Sequence, residues 1–243
     1  MIGRFVPPVL AGAATIGLWW LAVVALRIES YVIPAPPAVA AAFARLPGYL
    51  LRHAGVTLLE TVQGFAITAV GGVALGTLLA TAPVVSRAVY PVLVALNAVP
   101  KLAFAPLLII WLGFGPGPKI VMVVLMCFFP VVLATATGLT STPAELVELA
   151  RSLAASRWKT FTRVRFPAAL PQIMLGLKTA MPLAVIGALV GELFGAGAGL
   201  GFVIQNAGAD TALAFAAIAL LAAMSIALFG LLVTIERRLL PWE

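Results

Sequence analysis

Residues 145–171, ELVELARSLAASRWKTFTRVRFPAALP, form the one long polar segment of an otherwise apolar chain. They include five of the fifteen basic residues and two of the eight acidic residues. The sequence on both sides is hydrophobic enough to lie in a membrane. We therefore expect this segment to connect two membrane spans and to contact something in the surrounding water.

The composition is typical of an all-α polytopic membrane protein. Of the 243 residues, 63% are hydrophobic and 9% are charged, whereas soluble domains have about 45–50% apolar and about 25% charged residues. Each predicted span approaches or exceeds the ~20 apolar residues that a transmembrane helix needs. The six spans are residues 5–26, 56–80, 88–112, 120–139, 173–194 and 211–235. They form a single transmembrane domain over residues 1–243, with residues 140–171 as the loop between spans four and five.

The distribution of charge predicts the orientation of these spans. Six spans place both termini on one side, and a cytoplasmic assignment puts ten of the fifteen basic residues inside and four outside. Basic residues favour cytoplasmic loops, so the termini and residues 140–171 are expected in the cytoplasm. The net charge of +7 is explained by this bias. A nucleic-acid surface is disfavoured, because the basic residues are not interleaved with aromatic residues in one patch.

Two spans carry further signals. Gly72 and Gly76 in span two have the spacing that lets a neighbouring helix approach closely. Span three is predicted to be broken and to line an internal space, because backbone groups freed by proline need partners other than lipid. Lys101 in its middle is expected to face the bundle interior, either on a transport route or in a purely structural pair. The interrupting prolines are Pro91, Pro100 and Pro106.

The polar segment is predicted to contain two short helices. Residues 142–145, Thr-Pro-Ala-Glu, have the form of a capping box with proline at the first helical position, so a helix should run from Pro143 to about Ala155. Ser156 is expected to cap a second helix that ends at Pro167. An amphipathic helix lying on anionic lipid is the alternative interpretation. The apolar stripe of the first helix consists of Leu146, Leu149, Ala150 and Leu153.

Other potentially reactive groups are isolated in the sequence. His53 is the only histidine and is expected to be a loop or interface residue. Cys127 is the only cysteine, so an intramolecular disulfide is impossible. Residues 195–201 contain four glycines but lack the dinucleotide fingerprint. They are expected to form a flexible loop that continues through the polar residues Gln205, Asn206 and Asp210.

The polar segment resembles the EAA motif of bacterial ABC importer permeases. Leu149 replaces the first alanine of the motif, at its second position, and Ala154 replaces its glycine. Similarity to the permeases of nitrate, sulfonate, taurine and thiamine-pyrimidine-precursor importers extends over about residues 30–238, including residues 32–39, 99–103, 111–115 and 191–196. The residues at the motif spacing are Glu148, Ala150, Ala154, Val164 and Pro167.

This resemblance implies a type I ABC importer permease in the bacterial inner membrane. In that family the permease is a homodimer, two ATPase subunits bind its cytoplasmic loops, and a binding protein delivers the substrate from outside. The chain lacks a Walker A sequence, so ATP is expected to be used by the partner, and no enzymatic activity, cofactor or metal is expected here. The first short helix would be the coupling helix. Its expected contact residues are Glu145, Glu148, Ala150, Arg151, Ser152 and Ala154.

The translocation pathway is less defined by the sequence. Asn97, Lys101, Glu192 and Gln205 are candidates, and Lys101 and Glu192 lie at a similar depth of ~20 Å if each residue rises ~1.5 Å, so they could pair across the pore. A secondary transporter is the alternative, although Glu60 and Glu192 are the only acids within the spans. An intramembrane enzyme is disfavoured, because nucleophiles, bases and metal ligands are not clustered. Nitrate, a sulfonate and a pyrimidine precursor all remain possible substrates.

Overall fold

The structure, a computed structural model, describes residues 6–195 and 197–240, most of which are helical and none of which form a strand. The helices before the polar segment are α1 Val6–Ala25, α2 Pro36–Arg45, α3 Pro47–Thr81, α4 Pro83–Ala98, α5 Phe104–Leu112 and α6 Pro116–Thr140. The later helices are α7 Ala144–Ser152, α8 Arg157–Thr160, α9 Phe166–Leu193, α10 Leu200–Asn206 and α11 Thr211–Leu239. A 3₁₀ turn, Lys101–Ala103, precedes α5, and a π-helical turn, Phe161–Arg165, joins α8 to α9.

Helix length and apolarity confirm the all-α polytopic class. In the described part of the chain, four helices are long and apolar enough to cross a membrane, or five if α4 and α5 count as one bent span. The apolar helix Leu10–Ala25 is shorter. Every predicted span has a helical counterpart, although residue 5 lies outside the described residues. That all six helices cross the membrane stays a prediction.

The predicted break in span three lies at one of its three prolines. The axis turns by 75° between α4 and the segment that begins at Lys101. Pro100 cannot donate a backbone hydrogen bond, and it favours extended backbone in the preceding residue; Val99 accordingly has a ψ angle of 134°. Pro91 stays within α4, and Pro106 falls in the first turn of α5, where a missing N–H group costs least.

Small residues allow α3 to pack closely on α6. A Cβ atom added to any of three glycines on α3 would lie 2.5–2.9 Å from a side-chain atom of α6. This confirms the packing face predicted for span two. The close pairs are Gly64 with Val123, Gly72 with Val131, and Gly76 with Thr135.

α9 also approaches α6 closely, at the level of the backbone. A Cβ atom on Gly187 would lie 2.8 Å from the Cα atom of Val123, and one on Gly191 would lie 2.8 Å from the Cα atom of Lys119. Backbone atoms cannot move away by changing rotamer. α3, α6 and α9 therefore form a central unit held by close van der Waals contact, which is the main force between helices in lipid.

Polar contacts attach α11 to the rest of the chain. Lys178 of α9 donates to both carboxylate oxygens of Glu236 at 2.7 Å. At the other end of α11, Asp210 pairs with Arg45 at the end of α2 and accepts from the Leu213 N–H group at 3.1 Å. The Ala-rich helix α2 packs against α11.

Substitution of Gly187 with alanine tests the close approach of α9 and α6. Gly187→Ala is expected to lower the free energy of unfolding by about 1–3 kcal/mol, because the added methyl group overpacks against backbone. The midpoint of thermal unfolding in detergent should fall by about 2–4 °C per kcal/mol. Gly230→Ala in α11 is the matched control, since nothing in the described chain lies within 4 Å of its added Cβ atom. Equal midpoints for the two variants would contradict this packing.

Candidate coupling site and buried polar cluster

The first helix of the polar segment begins without the predicted capping box. α7 starts at Ala144, and Pro143 takes the N-cap position with no side-chain hydrogen bond. The Thr142 hydroxyl lies 3.5 Å from the carbonyl oxygen of Leu139, so it points back to the end of α6. The capping-box prediction is wrong because the Thr142 hydroxyl faces the end of α6 and does not bond to an N–H group of α7.

The end of α7 explains the glycine of the EAA motif. The Ala155 N–H group donates to the Ala150 carbonyl at 3.0 Å, and the Ala154 N–H group donates to the Arg151 carbonyl at 2.9 Å. These two bonds define a Schellman motif, whose next-to-last residue adopts the left-handed conformation that glycine favours. Ala154 occupies that position with a φ angle of +52°. The bend therefore survives the replacement of glycine by alanine, at a cost in backbone strain.

The predicted apolar stripe of α7 is divided between two sides of the helix. Val147 and Ala150 are buried against the rest of the chain. Leu146, Leu149 and Leu153 are exposed by 45%, 57% and 74%. The chain thus presents three leucines outward, two on the nine-residue helix and the third, Leu153, at its C-cap.

The six expected coupling residues follow the same division. Ala150 is buried, and the other five are exposed. The exposed positions are Glu145, Glu148, Arg151, Ser152 and Ala154.

The second predicted helix begins as expected but does not end at Pro167. The Lys159 N–H group donates to the Ser156 Oγ atom at 3.3 Å, which confirms the predicted cap. The helix then continues without interruption over Arg157–Leu193. Within it, the Phe166 N–H group donates to the Phe161 carbonyl, so the turn before Pro167 is wide. This π-helical turn accommodates a proline that would otherwise break or kink the helix.

A cluster of buried polar side chains holds the start of α10. Three consecutive backbone N–H groups there donate to side chains of α3 and α9. Helix N-termini leave such groups without partners within the helix, so the glycine-rich segment is fixed at residues 199–201 and the predicted loop is replaced by a helix. The pairs are Gly199 with His53 Nδ1 (3.0 Å), Leu200 with Thr57 Oγ1 (2.8 Å), and Gly201 with Glu192 Oε2 (2.6 Å).

The same cluster buries further polar and charged side chains in the core. The Thr57 hydroxyl donates to Glu192 Oε1 at 2.6 Å, and Lys119 donates to Glu60 Oε1 at 2.8 Å within the core. His53 is 1% exposed, so its assignment to a loop or interface is wrong, because α3 begins at Pro47. An acidic residue within an apolar span indicates a buried partner. Glu60 in span two could therefore have pointed to a buried basic residue, and the structure shows that this residue is Lys119.

The four pathway candidates do not form one group in this chain. Lys101 donates to Asn97 Oδ1 at 2.7 Å across the break in span three. Glu192 is 0% exposed, and both of its carboxylate oxygens accept hydrogen bonds. The suggested pair of Lys101 with Glu192 is therefore absent. Asn97 and Gln205 are exposed. Among the described residues, no group of three or more His, Cys, Asp or Glu side chains could hold a metal ion.

The chain has the long apolar helices of a membrane protein, a broken span and an exposed helix between spans. Its sequence matches establish the class, which is the transmembrane permease subunit of an ABC importer. The chain belongs to the family described as "Binding-protein-dependent transport system inner membrane component", whose sequence pattern matches residues 72–241. Members of this class are transport components and not enzymes.

Individual relatives agree with this assignment. The chain is 36% identical to a probable ABC transporter permease protein of Haemophilus influenzae, over 93% of each chain. It is also 36% identical to the formylaminopyrimidine transport permease protein ThiX of Halalkalibacterium halodurans, over 88% of this chain and 87% of that protein. Other relatives are named for riboflavin, aliphatic sulfonate, taurine and nitrate transport.

A solved structure supports the fold. The chain matches a structure titled "Inward facing conformations of the MetNI methionine ABC transporter" with a TM-score of 0.70 and 20% identity, over 80% of this chain and 98% of that one. The type I importer permease fold expected from the sequence is thereby confirmed.

Replacement of Ala154 by glycine tests the strained end of α7. Ala154→Gly is expected to stabilise the Schellman motif by about 0.5–1 kcal/mol, since glycine adopts positive φ angles without steric cost. Backbone amides in the last turn of α7 should then exchange with deuterium about two to five times more slowly, as measured by mass spectrometry. Ala155→Gly is the control, because Ala155 is not among the residues with positive φ. Faster exchange in Ala154→Gly would contradict the strain.

Proposed function

We propose that α7 is the element through which an ATPase subunit drives this permease. Three exposed leucines, two on this short helix and one at its C-cap, carry this proposal. Exposed apolar side chains that cluster on a polar segment are typical of an interaction surface, and an amphipathic helix commonly binds by placing its apolar face in a groove. Glu145, Glu148 and Arg151 would form the polar rim of that contact.

The connection between α7 and the core suits the transmission of force. Four residues separate α7 from a continuous helix of 37 residues, Arg157–Leu193. Such a helix is about 55 Å long at ~1.5 Å per residue, and it packs on α6 for much of its length. A displacement of α7 would move α9, and with it the cluster around Glu192 that holds α10.

A second copy of this chain would complete the transport route. Asn97 and Lys101 lie at the middle of a span, yet Asn97 is exposed and Lys101 is partly exposed. Polar groups at that depth are costly in lipid and normally face protein or a water-filled cavity. α4, which is described throughout, has no buried residue. We infer that α4 and the break at Pro100 face the pore and the partner copy.

Gln205 is a further candidate for the pore lining, because it is exposed on α10. Glu192 would act indirectly, since it is enclosed and fixes the start of α10. In this arrangement Lys101 is the one side chain among the candidates that offers a positive charge to the solute.

The cargo is proposed to be a small solute delivered by a binding protein from outside the cell. The names of relatives cover formylaminopyrimidine, riboflavin, aliphatic sulfonates, taurine and nitrate, and the lysine at the break suits solutes that are anionic or rich in hydrogen-bond acceptors.

ATP would be used by two ATPase subunits at the cytoplasmic side. The basic residues of the α7–α9 segment and Arg237 and Arg238 near the end of α11 favour placing both regions in the cytoplasm.

Substitution of Leu149 with glutamate tests the docking surface. Leu149→Glu places a charge at the centre of the proposed contact and is expected to reduce recovery of the ATPase subunit at least about tenfold in co-purification, as loss of an interface hot spot would. Leu239→Glu is the matched control, because Leu239 has a similar exposure of 49% near the end of α11. Normal recovery with Leu149→Glu would exclude this face of α7 as the docking site.

Substitution of the polar pair in span three tests the pathway. Lys101→Ala and Asn97→Ala are each expected to lower ATP-driven uptake in proteoliposomes, because a polar contact of the route is lost, while co-purification of the ATPase stays unchanged. Asn206→Ala, at an exposed position of α10, serves as the control. Full uptake by both pathway variants would remove this pair from the route.

A further inference from the structure

A cavity of about 570 Å³ lies between the end of α3 and the α7–α9 segment. It is separate from the exposed leucines of α7, because the α7 residues that line it are Val147 and Arg151. Threonine, arginine and aromatic side chains form most of its wall. Principal lining residues are Thr77, Thr81, Arg151, Arg157, Trp158 and Arg165.

The cavity is strongly basic. Arg151, Arg157 and Arg165 line it, and no acidic side chain is among its lining residues. None of the three arginines forms an ion pair with any residue that the structure describes. Three guanidinium groups around one space repel one another, so an anion between them would be stabilised.

The guanidinium group of Arg165 has a buried donor without an acceptor among the described residues. The Nε atom of Arg165 is buried and has no hydrogen-bond partner in the described part of the chain. A buried donor without a partner destabilises the folded chain. Arg165 also ends the π-helical turn Phe161–Arg165, which fixes where its side chain begins. A ligand that supplies acceptor oxygens at this point would remove the cost.

The rest of the wall suits an organic ligand and not a bare ion. Trp158 and Phe161 stack with their ring centroids 6.0 Å apart, and both line the cavity beside Val147. The volume is far larger than a single inorganic anion needs. Trp158 is 72% exposed close to the end of the apolar helix α3, and tryptophan at the end of a span is typical of the membrane–water boundary.

We propose that this cavity binds a phosphate group carried on an organic ligand, either the headgroup of an anionic phospholipid or a soluble phosphate ester. Arginine binds phosphate through paired N–H···O bonds, and three arginines match a group that offers several anionic oxygens. Threonine hydroxyls at positions 77 and 81 line the α3 side of the same space. The aromatic pair and Val147 contact the organic part.

A bound ligand would bridge α3 to the segment that leads from α7 into α9. Its effect on transport rests on the proposed role of α7, but its binding does not. The site can therefore be tested on the purified full-length chain without an ATPase, so that failure of this inference is distinguishable from failure of the coupling proposal.

The experiment measures ligand binding to the full-length chain in neutral detergent by native mass spectrometry. The probes are dioleoylphosphatidylglycerol, dioleoylphosphatidylcholine with the same acyl chains, and glycerol 3-phosphate. The variants are Arg165→Gln and Arg151→Gln, with Arg163→Gln as the matched control, since Arg163 is exposed in the same π-helical turn and does not line the cavity. Thermal unfolding without ligand checks that each variant is folded, and Arg165→Lys restores the charge if Arg165→Gln fails this check.

The wild-type chain should bind phosphatidylglycerol or glycerol 3-phosphate more tightly than phosphatidylcholine. Loss of one arginine contact is expected to weaken that binding about tenfold or more, whereas Arg163→Gln should change it less than twofold. Selective binding of the lipid identifies a lipid headgroup as the ligand, and binding of glycerol 3-phosphate identifies a soluble ester. Equal binding of all three probes, or equal losses in the Arg163 and Arg165 variants, would overturn the proposal.

Discussion

Close contact between α6 and its two neighbours, α3 and α9, is the constraint on which the structure depends. In lipid there is no hydrophobic gain from bringing helices together, so association relies on van der Waals contact and buried polar groups. Gly64, Gly72 and Gly76 allow α3 to approach α6, and Gly187 and Gly191 allow α9 to approach α6. Because a Cβ atom added to Gly76, Gly187 or Gly191 would meet backbone atoms of α6 within 2.8 Å, the geometry of these approaches has little freedom. The rest of the chain is arranged around this rigid unit.

The buried polar cluster depends on that packing. Glu60 on α3 can meet Lys119 on α6, and Thr57 on α3 can meet Glu192 on α9, because the three helices run within side-chain reach of one another. Charged groups in such surroundings are tolerated when they are paired and hydrogen-bonded. The cluster then provides acceptors for the N–H groups at the start of α10. One end of α9 thus positions α10, while its other end continues directly into the segment that follows α7.

Patterns within short stretches of sequence predicted much of this architecture. Apolar length predicted the spans, and each has a helical counterpart. The prolines of span three predicted a break, which lies at Pro100, and the spacing of Gly72 and Gly76 predicted a packing face. The same kind of reasoning failed at Thr142 and at Pro167. In both cases a local signal competed with a neighbouring helix: Thr142 turned back toward α6, and a π-helical turn carried the chain through the proline. Capping and proline rules consider only neighbouring residues, so they do not include the influence of a packed or continuing helix.

Apolar length, charge and motif spacing were enough to establish the membrane class, the polar segment and the permease family, because each of these is a property of neighbouring residues. The folded arrangement was needed to show which side of α7 stays uncovered, that Glu192 is enclosed, and that His53 is a core residue. Those outcomes depend on partners far apart in the chain: Thr57 and Glu192 are 135 positions apart, and His53 and Gly199 are 146 apart. Hydrophobic periodicity within a few helical turns of sequence cannot predict a contact between residues so far apart.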